Sequence, residues 1–367
     1  MQTTPLTETH RALGAKLVDF AGFEMPLTYS GLKEEHFAVR RAAGMFDVSH
    51  MGEFIVRGPG AEQLVQRVTS NDVSKLKEGQ AQYSCLPRPA GGIVDDLLVY
   101  RLPAGPTMTT DGPSYMLVVN ASNIQKDWDW ISSHNDVGAE MIDISERTAL
   151  LAVQGPKATE ILQTLTDTDL AAIPYYHFER GRLAGIDNVI LSATGYTGSG
   201  GFELYLDADR AETAWTAILD AGRDHGLLPA GLRARDTLRL EKGYCLYGND
   251  INDTTSPLEA GLGWITKLKA DDFVGRDFLL AQREAGVERR LVGFVLEGRR
   301  APRPGYPLLD AAGNRIGEVT SGTHSPSLDQ PIGLGYVTTG HHAPGTAIRV
   351  DLGRKQLGAE VKKLPFL

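Results

Sequence analysis

The sequence has only two cysteines and no long apolar run. Cys85 and Cys245 lack the spacing of a zinc site and are too few for a disulfide framework, which indicates a reducing compartment. No stretch approaches the roughly 20 apolar residues that a membrane-spanning helix requires, and the first residues lack the pattern of a signal peptide. We therefore expect a cytoplasmic protein that has no membrane among its partners.

Positive charge is also in deficit, and the common motifs of catalysis are missing. The 37 Lys and Arg residues against 46 Asp and Glu give a net charge of -9, so we do not expect nucleic acid as a partner. The nine histidines show no metal-ligand spacing, so no metal is expected, and there is no GxSxG motif. The glycines of residues 195–201 match neither GxGxxG nor a P-loop, and a strand-like run follows them, which favours a hairpin turn.

Length and patterning indicate an α+β chain with more than one domain. The 367 residues exceed a single ordinary core. VRGPGAEQL (56–64) and VQGPKATEI (153–161) each predict a strand, a Gly-Pro turn and a helix, either as a duplicated unit or as a chance recurrence of a common turn. Strand-to-helix passages recur at 115–131 and 202–219, and β-rich runs between turns from about residue 290 predict a small barrel or sandwich.

One apolar run, GGIVDDLLVY at residues 91–100, contains two adjacent carboxylates. If the run is a strand, Asp95 and Asp96 lie on opposite faces, because side chains alternate. A buried carboxylate has to be neutralised, paired or used. From the residues alone two explanations stay open: both acids are solvated at the mouth of the strand, or one of them faces a pocket.

Further charged positions suit a ligand site. Glu203 lies between apolar residues in the strand-like run GFELYL, from which a carboxylate could accept hydrogen bonds from a bound heterocycle. Arg235 and Arg239 are four residues apart on one side of a predicted helix, beside Asp236. A solvated charged face explains such a row, and an anion-binding arginine is the alternative. The residues alone thus indicate an enzyme that binds an anion or a heterocycle.

Taken in order, the motifs resemble those of the aminomethyltransferases, or T-proteins, of the glycine cleavage system. The matching blocks are GAKLVDFAGFEMP (14–26), VRRAAGMFDVSHMGE (39–53), GGIVDDLLVY (91–100), VVNASN (118–123), VQGPKA (153–158), TGYTGSGGFEL (194–204), RARDTLRLEKGYCLYGND (233–250) and GLGWITK (261–267). They are spread over residues 5–270, and the C-terminal part of the chain fits the barrel of that family.

The resemblance implies an α+β fold, in which a three-subdomain cloverleaf surrounds a central folate channel and a C-terminal β-barrel domain follows. We expect the folate-binding region, with two interleaved α+β subdomains, at residues 1–272 and the barrel at residues 287–367. The implied reaction converts the S-aminomethyl-dihydrolipoyl arm of the H-protein and the co-substrate tetrahydrofolate into methylenetetrahydrofolate, ammonia and the dihydrolipoyl arm. The lipoylated H-protein and tetrahydrofolate are therefore the implied partners.

The resemblance also implies roles for single residues. The catalytic aspartate of the family is the second acid of the Asp-Asp pair, which falls on Asp96. Glu203 and Arg235 fall on the principal folate contacts. The other positions that line the folate channel in the family are Met51, Tyr83, Leu98, Tyr100, Asn120, Tyr196 and Trp264.

Two departures from the family pattern and two alternative functions accompany this interpretation. Ser199-Gly200 stands where the family often has Glu-Asp, and the chain ends in LPFL where the family often has an aromatic or basic tail, so the resemblance does not extend to these two contacts. A folate-dependent demethylase of the same superfamily would share the channel without needing the H-protein. A non-catalytic folate-binding assembly factor is disfavoured, since EKGYCLYGND (241–250) differs from the KGCYxGQ-type motif of that branch.

Overall fold

The computed structural model describes residues 1–103 and 112–367. Its α-helices are α1 (Thr7–Ala12), α2 (Leu32–Arg41), α3 (Ala61–Val68), α4 (Ile124–Ser133), α5 (Ala158–Gln163), α6 (Ala211–Gly222), α7 (Leu232–Glu241) and α8 (Arg276–Ala285). Its β-strands are β1 (Lys16–Phe20), β2 (Phe23–Thr28), β3 (Ala43–Asp47), β4 (Gly52–Arg57), β5 (Gln80–Pro87), β6 (Ile93–Leu102), β7 (Ser114–Val119), β8 (Glu140–Asp143), β9 (Thr148–Gln154), β10 (Phe178–Leu183), β11 (Ile186–Ser192), β12 (Gly201–Asp207), β13 (Leu227–Pro229), β14 (Arg289–Leu296), β15 (Pro307–Leu309), β16 (Arg315–Ser325), β17 (Gln330–Thr338), β18 (Ala347–Asp351) and β19 (Gln356–Lys362).

The described residues form two compact units. The first unit comprises Met1–Val68, Asp72–Ser84 and Leu97–Arg235. The second unit comprises Thr69–Asn71, Cys85–Asp96 and Asp236–Leu367. The chain passes from one unit to the other several times, so neither unit is a continuous segment of sequence.

A six-stranded sheet in the first unit carries Glu203. Its strand order is β10-β11-β12-β9-β3-β13, and all neighbours are antiparallel except β13 and β3. Leu204 of β12 and Leu151 of β9 are directly paired and point into an apolar core that includes Trp215 of α6. Because side chains alternate along a strand, Glu203 and Tyr205 point to the opposite face of this sheet.

A five-stranded sheet, with the order β5-β6-β7-β4-β8, carries other predicted channel residues. Phe54 of β4 faces α4, where its ring centroid is 5.2 Å from that of Trp128. The register places Leu98, Val118 and Glu53 side by side across β6, β7 and β4. One face of β4 thus packs on a helix, and the opposite face carries Glu53.

The two similar Gly-Pro segments fold alike. β4 leads through Gly58-Pro59 into α3, and β9 leads through Gly155-Pro156 into α5. Both glycines have a positive φ, 98° and 133° respectively, which residues with a side chain rarely adopt. At Gly155 a Cβ would also lie 2.5 Å from the carbonyl oxygen of Ala42. Each turn therefore requires its glycine, and the following proline fits the start of the helix.

The second unit contains a closed barrel with the strand order β14-β17-β16-β15-β18-β19. Val292, Phe294 and Leu296 alternate inward along β14 and belong to its apolar core. The α+β class and the C-terminal barrel predicted from the sequence are confirmed, and the alternative of a sandwich is set aside. Among the described helices, none has the length and apolar character needed to cross a membrane.

Candidate active site

The two adjacent acids of β6 lie in different environments. Asp95 is fully buried, at 0% exposure, on the face that it shares with Ile93 and Leu97. Asp96 is partly exposed and shares the other face with Leu98. The alternation predicted from the sequence is thus confirmed, and the explanation that solvent covers both acids is wrong for Asp95.

A close backbone approach fixes the start of β6 within the second unit. A Cβ on Gly92 would lie 1.9 Å from the carbonyl oxygen of Asp253, so only glycine permits this approach. The Ile93 N–H donates to the carbonyl oxygen of Asn252 at 3.0 Å, and the Tyr247 hydroxyl donates to the carbonyl oxygen of Ile93 at 2.9 Å. These bonds hold the start of the strand, and with it the acid pair, in a defined position.

Both cysteines lie within electrostatic range of Asp96 in the second unit. Burial, together with the charge of Asp96, raises the pKa of the Cys85 thiol well above its usual range. Burial and the charges of Asp250 and Asp96 raise the pKa of the Cys245 thiol in the same way. The two thiols are free and buried, so they stay protonated at neutral pH and do not act as nucleophiles.

Glu203 is a buried acid in the first unit. Its side chain is 6% exposed, and its Oε2 accepts a hydrogen bond from Thr194 Oγ1 at 2.5 Å. Burial raises the pKa of Glu203 above its usual value, while the Thr194 hydrogen bond and the charge of Arg235 oppose that rise. A carboxyl that is oriented by a hydroxyl and attracted by a guanidinium is suited to accept hydrogen bonds from ligand N–H groups.

A group of hydroxyls supports the orientation of Glu203. The Tyr100 hydroxyl lies 3.1 Å from both Ser192 Oγ and Thr194 Oγ1, and 3.0 Å from the Tyr205 hydroxyl. Ser192 Oγ and Thr194 Oγ1 are 2.9 Å apart. Burial raises the pKa of the Tyr205 phenol well above its usual range, so the phenol stays neutral. Such a connected network fixes the rotamers of its members, and through Thr194 it fixes that of Glu203.

Arg235 of α7 lies close to Glu203 and to an aromatic ring. Its guanidinium carbon is 4.9 Å from the centroid of the Tyr196 ring, which is a cation–π contact. Burial lowers the pKa of Arg235, and the charge of Glu203 opposes that shift. A guanidinium stays charged under either influence. The structure thus brings together three residues that the sequence predicted for the site, Tyr196, Glu203 and Arg235.

Arg239 lies four residues further along α7 and has a structural role. It is 1% exposed, and its guanidinium contacts Asp250 Oδ2 at 2.6 Å and Asp236 Oδ1 at 2.9 Å. It also donates to Ser321 Oγ at 2.8 Å. The interpretation of the arginine row as a solvated face is therefore wrong for Arg239, whose charge is buried and paired in the second unit.

His50, which sequence reasoning missed, is a neutral base close to Arg235. Its side chain is buried, and its ring centroid is 5.5 Å from that of Phe20 in an edge-to-face contact. Burial, followed by the charge of Arg235, lowers the pKa of His50 to about 4, and the charge of Asp47 opposes the shift. The imidazole is therefore uncharged at neutral pH, directly before Met51 in the chain.

The remaining predicted residues are divided between the two units. In the first unit Met51 precedes β4, Tyr83 lies on β5, Leu98 lies on β6 and Asn120 follows β7, and all four are partly buried. In the second unit Trp264 lies in the 3-10 turn Gly263–Ile265, with 60% of its surface exposed. The contacts above therefore join Tyr100, Tyr196, Glu203 and Arg235 within the first unit, whereas Asp96 and Trp264 belong to the second.

The departure at Ser199 leaves a polar contact in place. Arg40 Nη1 donates to Ser199 Oγ and to the Thr197 carbonyl oxygen, both at 2.6 Å. Gly200 has a positive φ of 74°, which a glycine adopts without strain. The Ser199 hydroxyl thus contacts the cation of Arg40.

Metal-ligand side chains do not cluster in residues 1–103 and 112–367. No group of three His, Cys, Asp or Glu side chains in these ranges is arranged to hold a metal ion. The adjacent histidines His341 and His342 lie in the turn between β17 and β18.

Two family models together match nearly the whole chain. The GCVT N-terminal domain model matches residues 6–270, and the glycine cleavage T-protein C-terminal barrel domain model matches residues 289–367. Aminomethyltransferases of Flavobacterium psychrophilum and Phocaeicola vulgatus are each 55% identical, and the matches cover 100% of this chain and 99% of each relative. The crystal structure of glycine cleavage system aminomethyltransferase T from Bartonella henselae matches with a TM-score of 0.90 and 35% identity, over 100% of this chain and 98% of that one.

The fold and these matches define a transferase that uses tetrahydrofolate as a substrate. The chain belongs to the glycine cleavage T-protein family, and its function is that of an aminomethyltransferase of the glycine cleavage system. This family works with the H-protein and with folate. The function that the sequence motifs implied is confirmed, and the demethylase and assembly-factor alternatives are set aside.

Proposed function

We propose that this chain transfers the aminomethyl carbon from the dihydrolipoyl arm of the H-protein to tetrahydrofolate. The products are methylenetetrahydrofolate, ammonia and the dihydrolipoyl arm. A carbon that carries both sulfur and nitrogen can expel one of them while the other forms an iminium cation, so the reaction needs an acid–base group and a negative charge nearby. Family membership and the pair of acids on β6 support this reaction.

We assign Asp96 as the catalytic carboxylate. The observation that carries this assignment is the split of the acid pair, in which Asp96 is partly exposed whereas Asp95 is fully buried. Asp96 stabilises the developing iminium charge and exchanges protons with the folate amines. Asp95 faces the opposite side of the strand and serves the fold.

We assign the folate contacts to polar, aromatic and aliphatic side chains. Glu203 accepts hydrogen bonds from ring N–H groups, with its rotamer fixed by Thr194. Arg235 supplies the positive charge and is held over the Tyr196 ring. The further folate contacts in this proposal are Met51, Tyr83, Leu98, Tyr100, Asn120, Tyr196 and Trp264.

The proposal also includes the partner, the domain limits and the location of the protein. The lipoylated H-protein is the partner that delivers the carbon. Residues 1–272 form the folate-binding region and residues 287–367 form the barrel domain, limits that enclose the two family matches at 6–270 and 289–367. A cytoplasmic location fits the two cysteines, both of which are free thiols.

The test is a single-turnover assay with aminomethylated H-protein. The purified chain, tetrahydrofolate and the loaded H-protein should yield methylenetetrahydrofolate and ammonia in equal amounts. H-protein without the lipoyl group is the matched control and should yield neither product. Folate methylation from a sulfonium donor, with no product from the loaded H-protein, would overturn the proposal.

A further inference from the structure

Glu53 is a buried acid for which the reaction above has no role. Its side chain is 1% exposed, and neither carboxyl oxygen has a hydrogen-bond partner among residues 1–103 and 112–367. An unpaired buried polar group costs free energy, so nearly all such groups in proteins are completed by protein, water or ligand. The Glu53 carboxyl therefore needs a partner from outside these residues.

The backbone on both sides fixes the direction of this side chain. The Glu53 N–H donates to Ser145 Oγ at 3.0 Å, and the Glu53 carbonyl oxygen accepts from the Ile144 N–H at 3.0 Å. Because the strand is held in this way, alternation sends Phe54 toward α4 and Glu53 to the opposite face. These backbone hydrogen bonds fix the register of β4, so the Glu53 carboxyl stays on this face of the sheet.

The face that carries Glu53 also carries proposed folate contacts. Glu53 pairs with Val118, and Val118 pairs with Leu98, so the three side chains form one row across the sheet. Tyr100, the next residue on that face of β6, meets Tyr205 of the other sheet at 3.0 Å between hydroxyl oxygens. Burial raises the pKa of Tyr205, and Glu203 and Glu53 are both close enough to add to the shift. Glu53 thus lies in the same buried region of the first unit as Glu203.

The surroundings of Glu53 keep its proton on the carboxyl. Burial, with a smaller effect from the charge of Asp143, raises the pKa of Glu53 well above its usual value. A neutral carboxyl presents one O–H donor beside one acceptor oxygen, whereas an ionised carboxylate only accepts. Glu53 and Glu203 therefore suit ring edges of different pattern.

We propose that Glu53 is a second carboxyl of the folate site and recognises a ring edge with one acceptor beside one donor. The inference rests on the folate site proposed above. Glu203 takes the edge of the pterin that presents N–H donors, and N5 has to stay available to receive the carbon. Away from N5 and from the N–H groups that Glu203 contacts, the edge with the required pattern is N1 beside N8–H. The Glu53 O–H donates to N1, and its carbonyl oxygen accepts from N8–H.

The test combines two substitutions with two ligands, tetrahydrofolate and its 8-deaza analogue, in which carbon replaces N8. Glu53→Gln keeps a neutral donor–acceptor pair of the same size, so its dissociation constant for tetrahydrofolate should stay within about fivefold of that of the unsubstituted chain. Glu53→Leu removes both bonds and should raise this constant by about 10- to 100-fold, at roughly tenfold per lost hydrogen bond. Without ligand, the melting temperature of Glu53→Leu should equal or exceed that of the unsubstituted chain, because the Glu53 carboxyl makes no hydrogen bond to the described residues that the substitution could remove.

The analogue gives the readout that a structural role would not change. The unsubstituted chain and Glu53→Gln should bind the 8-deaza analogue about tenfold more weakly than tetrahydrofolate, and Glu53→Leu should bind both alike. Glu53→Met takes the place of Glu53→Leu if the latter does not fold. Equal affinity of Glu53→Leu and the unsubstituted chain for tetrahydrofolate, or an analogue penalty that survives in Glu53→Leu, overturns the inference. Failure of the unsubstituted chain to bind tetrahydrofolate overturns the proposed function itself, which is a separate result.

Discussion

Replacing Glu203 with glutamine tests whether this carboxylate binds the folate ring or stabilises the fold. The substitution preserves the size of the side chain and a carbonyl oxygen for Thr194 Oγ1, which lies 2.5 Å from Glu203 Oε2. It removes the negative charge and turns one acceptor oxygen into an N–H donor. A ring N–H that met a carboxylate oxygen would then meet another donor.

The magnitude follows from the chemistry of this contact. A hydrogen bond to a charged group contributes about 1.5–3 kcal/mol, so the loss of one costs about 2 kcal/mol, or a factor of about 30 in the dissociation constant. We expect the dissociation constant for tetrahydrofolate, and with it the Michaelis constant, to rise by more than about tenfold. Stability without ligand should change by less than about 1 kcal/mol, because burial of the charge is itself unfavourable and offsets the lost attraction to Arg235.

Calorimetry with tetrahydrofolate and thermal unfolding of the unliganded protein measure the two quantities separately. Thr194→Val is the matched control, since it keeps the Glu203 charge but removes a hydroxyl that contacts Tyr100, Ser192 and Glu203. This control should lower the melting temperature of the unliganded protein. If Glu203→Gln instead lowered the melting temperature by several degrees and left folate affinity intact, Glu203 would be a structural acid and the reasoning would be refuted.

Three further predictions each concern one ionisable residue. Arg235→Ala should weaken tetrahydrofolate binding by about 2–4 kcal/mol in calorimetry, and an unchanged dissociation constant would remove Arg235 from the site. Arg239→Ala should lower the free energy of unfolding by about 3–5 kcal/mol in urea, because it leaves Asp250 buried without its cation, and a change below about 1 kcal/mol would contradict this. The unsubstituted chain should lose stability relative to Glu53→Gln as the pH rises from 4.5 through the raised pKa of Glu53, because an acid with a raised folded-state pKa stabilises the fold only while protonated. Urea titrations at several pH values measure that difference, and a gain in relative stability with rising pH would contradict the assignment.

Local periodicity predicted the parts of the site that depend on one strand. The alternation in GGIVDDLLVY placed Asp95 and Asp96 on opposite faces, and the structure has them so, with Asp95 buried. The same rule, applied to GFELYL, would have placed Tyr205 beside Glu203. Which face of β6 is buried depends on residues far away in the sequence, such as Asn252 and Asp253, which contact the start of this strand. No local pattern contains that information.

The limits of sequence reasoning are clearest at the charged groups. Arg235 and Arg239 have the same spacing and the same neighbour, yet one lies over Tyr196 and the other is buried with Asp250. The pKa of His50 is lowered by burial and by Arg235, which is 185 positions away by the numbering (235 minus 50). Such effects arise from three-dimensional packing, so the sequence predicts the chemical type of these residues and not their environment.

The most direct test of the central claim is the turnover of Asp96→Asn in the assay with aminomethylated H-protein. Asparagine preserves the size of the side chain but removes the charge and the exchangeable proton, so turnover should fall by roughly 100-fold or more while the tetrahydrofolate dissociation constant changes little. Asp95→Asn, on the buried face, is the matched control and should affect stability more than turnover per folded molecule. Near-normal turnover in Asp96→Asn, together with an inactive but folded Asp95→Asn, would show that the reaction depends on the other acid.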